Sequence, residues 1–321
     1  MSDPIVILGG GPAGSAAAIA ARREGSAVAL IEKSKFPRHK VCGEFFSPEI
    51  AAELEQLGVW DAFIAAGPAR VKRMKLHFRR REKTCLLPEP AWGLSRHAFD
   101  TLLFNRAQEL GAVVADRGPS PLVIASGRIA SMTSRGGRLF GFKTHFQGPT
   151  DDAVELFFFN GCYVGISSVE GEYTNVCGLG PEDFLSRFDF DYDLVVRKSP
   201  ALAARLAPLT RSMKWISTGP LRYGQAFNPD GAQYLAGDAL SFVDPFTGSG
   251  LLAAVKTGGL AGVTAARGEP VSRYLARCRA SLRKPFEVAS IFRKAVDGGW
   301  AEWVAPLVPG RVLFALTRPQ K

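Results

Sequence analysis

Three glycines, Gly9, Gly11 and Gly14, stand in the order Gly-x-Gly-x-x-Gly within IVILGGGPAGSAAAIAARREGSAVALIEK, residues 5–33. That spacing suits a diphosphate. The first glycine permits a tight turn, the second lets the backbone approach the anion, and the third lets a helix pack closely on a strand. A helix opening at the turn points free amides and the positive end of its dipole at the phosphates. Glu32 ends the next strand, where a carboxylate can accept both hydroxyls of an adenosine ribose. The chemistry implied is the holding of a dinucleotide, and the elements needed are strand, turn, helix and strand.

A nicotinamide enzyme would need no further glycine signature, yet YLAGDALSFVDPFTGSGLLAAVKTGGLAG, residues 234–262, supplies one. Tyr234 to Ala236 read as a short strand ended by Gly237-Asp238, and a Pro/Gly-rich turn opens a helix of small residues near Leu251. The segment resembles the GD motif of flavoproteins that share the p-hydroxybenzoate hydroxylase fold. That resemblance implies FAD, with Asp238 on the ribityl chain, Pro245 against the isoalloxazine ring, and the amides around Gly248, Ser249, Gly250 and Leu251 at its pyrimidine end. A helix N-terminus there would stabilise the negative charge that reduction places on the ring. Pro12, Ala13, Lys33, Arg38 and Gly43 join the implied cofactor contacts.

Two further segments resemble the same family. In WGLSRHAFDTLLFNRAQELGA, residues 92–112, Arg96 takes the place of an arginine that contacts the flavin nucleotide, ahead of a helix from about Ala98 to Leu110. FPRHKVCGEFFSPE, residues 36–49, resembles a flavin-proximal loop of the geranylgeranyl reductase branch and would bring Cys42 near the ring. The plain alternative for Cys42 is a small buried residue in a turn. Residues 160–179 and 217–224 point to the same branch.

The chain departs from the family in two places. Prenyl reductases of this branch and flavin halogenases tend to carry tryptophan in the substrate-facing strand, whereas Tyr163-Val164-Gly165-Ile166-Ser167-Ser168 has glycine in that position. This disfavours a halogenase and a long prenyl substrate. In VVADRGPSPLVIASGR, residues 113–128, Ser126-Gly127 replaces an acidic DG pair, and six residues stand where relatives insert an antiparallel meander. The two prolines argue against a tight hairpin. If the flanking strands lie on opposite sides of the first strand, the linker must span a diagonal of about 20 Å, close to its full reach of about 20 Å. Otherwise the first of the two strands is displaced from its family position.

The expected fold class is α/β with an α+β substrate region. It comprises a Rossmann-like FAD-binding domain of the glutathione reductase type 2 / p-hydroxybenzoate hydroxylase fold, an antiparallel-sheet substrate domain and C-terminal helices. The FAD-binding domain is discontinuous over residues 1–50, 94–130 and 225–266; residues 51–93 and 131–224 form the substrate domain, and 267–321 a C-terminal helical segment with a break near Pro285. VKRMKLHFRRR, residues 71–81, alternates apolar and basic positions as a half-buried strand. Its outer face is either solvated or a docking surface for an anionic carrier. The aromatic strands of residues 138–166 would wall an apolar pocket or fill a core, and the tail with Trp300, Trp303 and Arg311 reads as a lid packed on the flavin or substrate domain in preference to a membrane anchor.

Composition sets outer limits. The net charge of +10 favours anionic partners, but no series of base-stacking aromatics accompanies it, so nucleic acid is not expected. Five scattered cysteines show no metal-finger spacing, which predicts reduced thiols and no metal site. No apolar run approaches the roughly 20 residues of a membrane span. A cytoplasmic protein is expected, with peripheral membrane contact left open. No second Gly-x-Gly-x-x-Gly provides a resident nicotinamide domain, so electrons would come from transient NAD(P)H or from a separate reductase partner. The expected enzyme is an FAD-dependent oxidoreductase of secondary metabolism. It acts on an apolar small molecule (polyketide-, quinone- or isoprenoid-like, free or carrier-bound), either as a monooxygenase through a flavin hydroperoxide or by C=C reduction. Cys42, Tyr163 and Tyr223 are the candidate proton donors. The alternative is a non-catalytic remnant of the fold, with weakened FAD binding, that serves as a binding or scaffold protein.

Overall fold

The computed structural model describes residues 3–79, 81–127, 138–221, 224–225, 231–242 and 248–281. The first half runs β1 (Ile5–Leu8), α1 (Pro12–Arg23), β2 (Val28–Ile31), β3 (Phe45–Phe46), α2 (Ile50–Leu57), α3 (Trp60–Ala65), β4 (Ala69–His77), β5 (Glu82–Gly93), α4 (Arg96–Glu109), β6 (Val113–Ala115) and β7 (Val123–Ile124). The second half runs β8 (Leu139–Gln147), β9 (Ala153–Phe159), β10 (Cys162–Ser168), β11 (Tyr173–Pro181), α5 (Glu182–Leu185), α6 (Tyr192–Val196), α7 (Pro200–Leu206), β12 (Thr210–Arg211), β13 (Ile216–Leu221), β14 (Gly224–Gln225), β15 (Tyr234–Leu235), β16 (Ser241–Phe242) and α8 (Gly250–Ala266). Residues 271–281 continue as a helix, and the tail from 282 lies outside the described residues.

A parallel sheet in the order β15-β7-β1-β2-β6 forms the first layer. Its inner strands are apolar because both faces are covered, with Ile7, Leu30 and Val123 fully buried, while Val113 and Val114 of the edge strand β6 are exposed. Helices α1 and α8 pack closely. A Cβ on Gly258 or Gly262 would lie 2.1 or 2.2 Å from the carbonyl oxygens of Ala13 and Ala17, so the small-residue composition of both helices is a packing requirement.

The shortened join takes the crossing route. β6 sits at the outer edge beside β2 while β7 pairs on the far side of β1, so the linker passes three strand spacings. It succeeds because β7 is only two residues long and pairs with Ile7 and Leu8 at the end of β1, which shortens the return. Gly118 passes against Ile31, where a Cβ would come within 2.9 Å of the side chain, and the Leu122 amide donates to the Val6 carbonyl.

The second layer is a mixed nine-stranded sheet in the order β12-β8-β11-β10-β9-β4-β5-β3, with β13 also pairing on β8. All its pairs are antiparallel except β4 with β9. Strand alternation gives it two unlike faces. The back face carries Phe142, Phe157, Val164, Ile166 and Val176 against Leu185, Tyr192, Val195 and Leu202 of α5 to α7. The aromatic run of residues 138–159 is therefore core. On β4 the basic positions are matched by acids: Arg73 pairs with Asp151 and Asp152, Lys75 with Asp151, and His77 with Glu155. A carrier docking on this strip would have to compete with those carboxylates. No helix among the described residues is long and apolar enough to cross a membrane.

Candidate functional site

A cavity of about 960 Å³ lies between the two sheets, at the upper end of the range for ligand pockets. Gly9, Gly11, Pro12, Ala13, Glu32 and Arg38 line one end. Arg96, Cys42, Gly43, Gly237 and Asp238 follow, with Gly248, Gly250 and Leu251 at the mouth of α8. Beyond them the wall belongs to the nine-stranded sheet, with Leu156, Tyr163, Gly165, Ser167, Cys177 and Leu179 facing inward. Sites separated by more than 200 residues thus share one space. Of the residues expected at the cofactor, Gly14 lies behind the wall, Ser249 is buried off it, and Lys33 is exposed away from it. Pro245 and Tyr223 lie outside the described residues.

The glycines of the first turn are fixed by backbone contacts. Gly9 has φ 101°, and a Cβ there would lie 2.5 Å from the Ala125 carbonyl oxygen; one on Gly14 would lie 1.7 Å from that of Gly9. Around Gly11 and Gly250, by contrast, nothing lies within 4 Å of the Cβ position. These two mark the N-terminal ends of α1 and α8, both facing the cavity and both without an acidic residue in the first turn. Two helix dipoles meeting in one space suit the phosphates and the charge-accumulating ring of FAD. The residues present fit that group.

Glu32 is more engaged than a bare ribose acceptor. Its carboxylate accepts from the Gly10 amide at 2.9 Å, the Ser34 amide at 2.7 Å, and Arg38 Nη1 and Nη2 at 3.2 and 3.0 Å. Burial alone would raise its pKa, but these bonds outweigh it and hold the carboxyl below its ordinary value. A ribose would have to take over acceptor positions that Arg38 now fills. Arg38 Nε is buried with no partner.

Arg96 grips Asp100 through Nε at 2.5 Å and Nη2 at 2.7 Å. Desolvation works against its charge, but Asp100 more than compensates, so it remains a guanidinium beside Cys42. Burial, the largest influence on Cys42, raises its thiol pKa despite Arg96, and Cys177 on the opposite wall is shifted upward in the same way by burial. Both are therefore protonated thiols at neutral pH. Tyr163 lines the cavity on β10, so Cys42 and Tyr163, 121 positions apart, border the same space.

One cluster has no counterpart in the sequence reading. Glu44, fully buried with φ 54°, accepts from Lys143 and from the Arg96 amide at 2.6 Å, and is 2.7 Å from Nε2 of His145. Desolvation is outweighed by His145 and Lys143, so its carboxyl is held below the usual range. His39, Glu44 and His145 bring nitrogen and oxygen atoms within 4.8 Å of one another. The Lys143 ammonium on the same carboxylate disfavours a metal ion there. No local motif joins positions 44, 143 and 145; the only signal is alternation in β8, which puts Lys143 and His145 on one face.

Residues 4–37 match the family described as FAD dependent oxidoreductase. The match covers the first strand, the glycine turn, the helix that follows and the second strand. The glycine turn and Glu32 are the features at the cofactor end of the cavity. Menaquinone reductase of Mycobacterium tuberculosis is 50% identical over 58 residues, which covers 18% of this chain and 14% of that protein. Flavin-dependent halogenase armH3 of Armillaria mellea is 38% identical over 125 residues, 36% of this chain and 24% of that protein. The matched stretches thus span a quarter or less of these relatives. The flavin-dependent brominase Bmp2 shares the fold with TM-score 0.79 at 19% identity, covering 97% of this chain and 92% of that one. A geranylgeranyl bacteriochlorophyll reductase-like protein of Thermoplasma acidophilum does so with TM-score 0.77 at 18% identity, covering 98% and 93%. The flavoprotein fold is that of the p-hydroxybenzoate hydroxylase type, and the family match and the halogenase relatives support an enzyme with FAD as its cofactor. The halogenase likeness runs against what the missing tryptophan suggested. Gly165 shapes one wall of the cavity, and the shared fold does not depend on a tryptophan there.

Proposed function

We propose that this flavoprotein oxidises or reduces an apolar, uncharged small molecule held against the nine-stranded sheet. The observation that carries this reading is the continuity of the cavity from the dinucleotide turn to the inner wall at Val154, Leu156, Leu179 and Ile216. Bound FAD would supply two-electron chemistry at the junction. Gly9, Gly11 and the α1 N-terminus would hold its phosphates, and Asp238 its ribityl chain. Gly248, Gly250 and the α8 N-terminus would face the charge-accumulating end of the ring. Tyr163 and the protonated Cys42 thiol are the candidate proton donors at the substrate end, and the apolar wall excludes water. Electrons would come from NAD(P)H bound transiently or from a reductase.

Halogenation joins hydroxylation and C=C reduction as a reading, because flavin-dependent halogenases match part of the chain in sequence and most of it in fold. Purified protein should turn yellow with FAD, with bands near 370 and 450 nm. A protein left colourless by excess FAD would sink the proposal. In the yellow protein, product formed only with bromide or chloride marks halogenation, oxygen-dependent product without halide marks hydroxylation, and anaerobic turnover of an enone marks reduction.

A further inference from the structure

Three of the four histidines converge from separate segments: His39 in the loop before β3, His97 in the first turn of α4, and His145 in β8. The His97 and His39 rings stack at 4.9 Å between centroids, and His39 meets His145 edge-on at 5.2 Å. His97 is exposed and lies off the cavity wall, His39 is also solvent-exposed and borders the cavity, and His145 is buried on Glu44. The series therefore runs from a surface ring, through a ring that borders both solvent and cavity, to a buried anchor.

We propose that His97 and His39 form the path by which protons pass between solvent and the cavity, with His145 and Glu44 as positioning residues that fix the His39 ring. This rests on the FAD reading above and goes beyond it by naming the proton route. His39 is faced by Lys143 and His145 from β8, by His97 from α4 and by Glu44 from its own loop. Partial desolvation, then Lys143, His145 and His97, push its pKa down to about 4 against the opposing pull of Glu44. At neutral pH the ring is uncharged, with one nitrogen carrying a proton and the other free to accept one.

In each transfer, His97 takes a proton from water and passes it to the free nitrogen of His39, whose other nitrogen releases its proton to the cavity. A ring turn restores the starting state, and no electrons move. At these centroid distances each hop uses a bridging water or a small ring rotation. Glu44 supplies the negative charge that stabilises a transient imidazolium on His39.

The test uses FAD-loaded protein in weak buffer, reduced anaerobically by a light pulse with a sacrificial electron donor present, with a pH indicator recording proton uptake. In His97→Ala and His39→Gln, uptake should slow by about 10²-fold. Exogenous imidazole should restore the rate in His97→Ala, whose exposed site tolerates the change. A slowing that imidazole does not restore, or an unchanged rate in both variants, overturns the relay while leaving the FAD reading intact. A protein that never binds FAD removes both.

Discussion

The two ends of the cavity are built on different rules. At the dinucleotide end, backbone packs against backbone: at Gly14 even a methyl group would overlap a carbonyl oxygen, and Gly258 and Gly262 meet α1 in the same way. At the end walled by the nine-stranded sheet, side chains of alternate strand positions form the wall, and Gly165 has only the tip of Leu156 within 3.4 Å of its Cβ position. The first end admits very few residues. The second admits many, and it is where enzymes sharing a flavin fold can differ in substrate.

Between the ends stands the Glu44 cluster, where the largest energetic effect is expected. Glu44→Gln removes the charge that partners buried Lys143 and should cost about 3–5 kcal/mol, because an unpaired ammonium is left behind. Chemical denaturation monitored by tryptophan fluorescence would show it, and a loss below about 1 kcal/mol would mean that Lys143 escapes to water. Next comes Gly14→Ala, expected to cost about 1–3 kcal/mol through overpacking and to abolish FAD retention. Gly165→Trp, by contrast, should leave the 450 nm band of bound FAD in place and exclude an apolar fluorescent probe from the cavity. If Gly165→Trp also lost FAD, the two ends would not be separable.

That asymmetry also governs what the sequence makes legible. Gly9, Gly11, Gly14 and Glu32 announce themselves because steric and ribose-binding demands act over a short stretch of contiguous chain. The crossing linker was legible as a near-limit diagonal, but the shortening of β7 to two residues was not, since strand length is set by pairing with β1. Phe142 and Phe157 fitted either wall or core, and only the packing of α5 to α7 places them in the core. The cluster of Glu44, Lys143 and His145 depends on bringing a loop and a strand together from about 100 positions apart, which no local pattern encodes.

A smaller effect tests whether Glu32 serves the nucleotide or only Arg38. Glu32→Gln keeps the size of the side chain and removes the charge that Arg38 and two amides recognise. FAD affinity should fall by about tenfold, the scale of one charge-assisted hydrogen bond, as measured by fluorescence titration. An unchanged affinity would mean that the cofactor end is held by its backbone alone.

The gentlest effect lies in the pH dependence of stability, and its direction follows from two groups. His39 titrates from 6.5 when unperturbed and from about 4 in the fold. Between those values the unfolded chain carries a proton that the folded one lacks, so stability falls as pH drops from 6.5 toward 4. Glu44 acts in the same direction at lower pH: its folded pKa is depressed below 4.5, so its contribution is present above that value and lost as pH falls through the folded pKa. Urea midpoints measured at half-unit steps from pH 7.5 to 4.5 should therefore decline, and His39→Phe should flatten the upper part of that decline. If the substitution leaves the slope unchanged, His39 titrates normally and stands free of Lys143. A normal imidazole is still mostly neutral at pH 7, so that outcome would remove the influence of Lys143 on His39 and leave the proton path standing on its geometry.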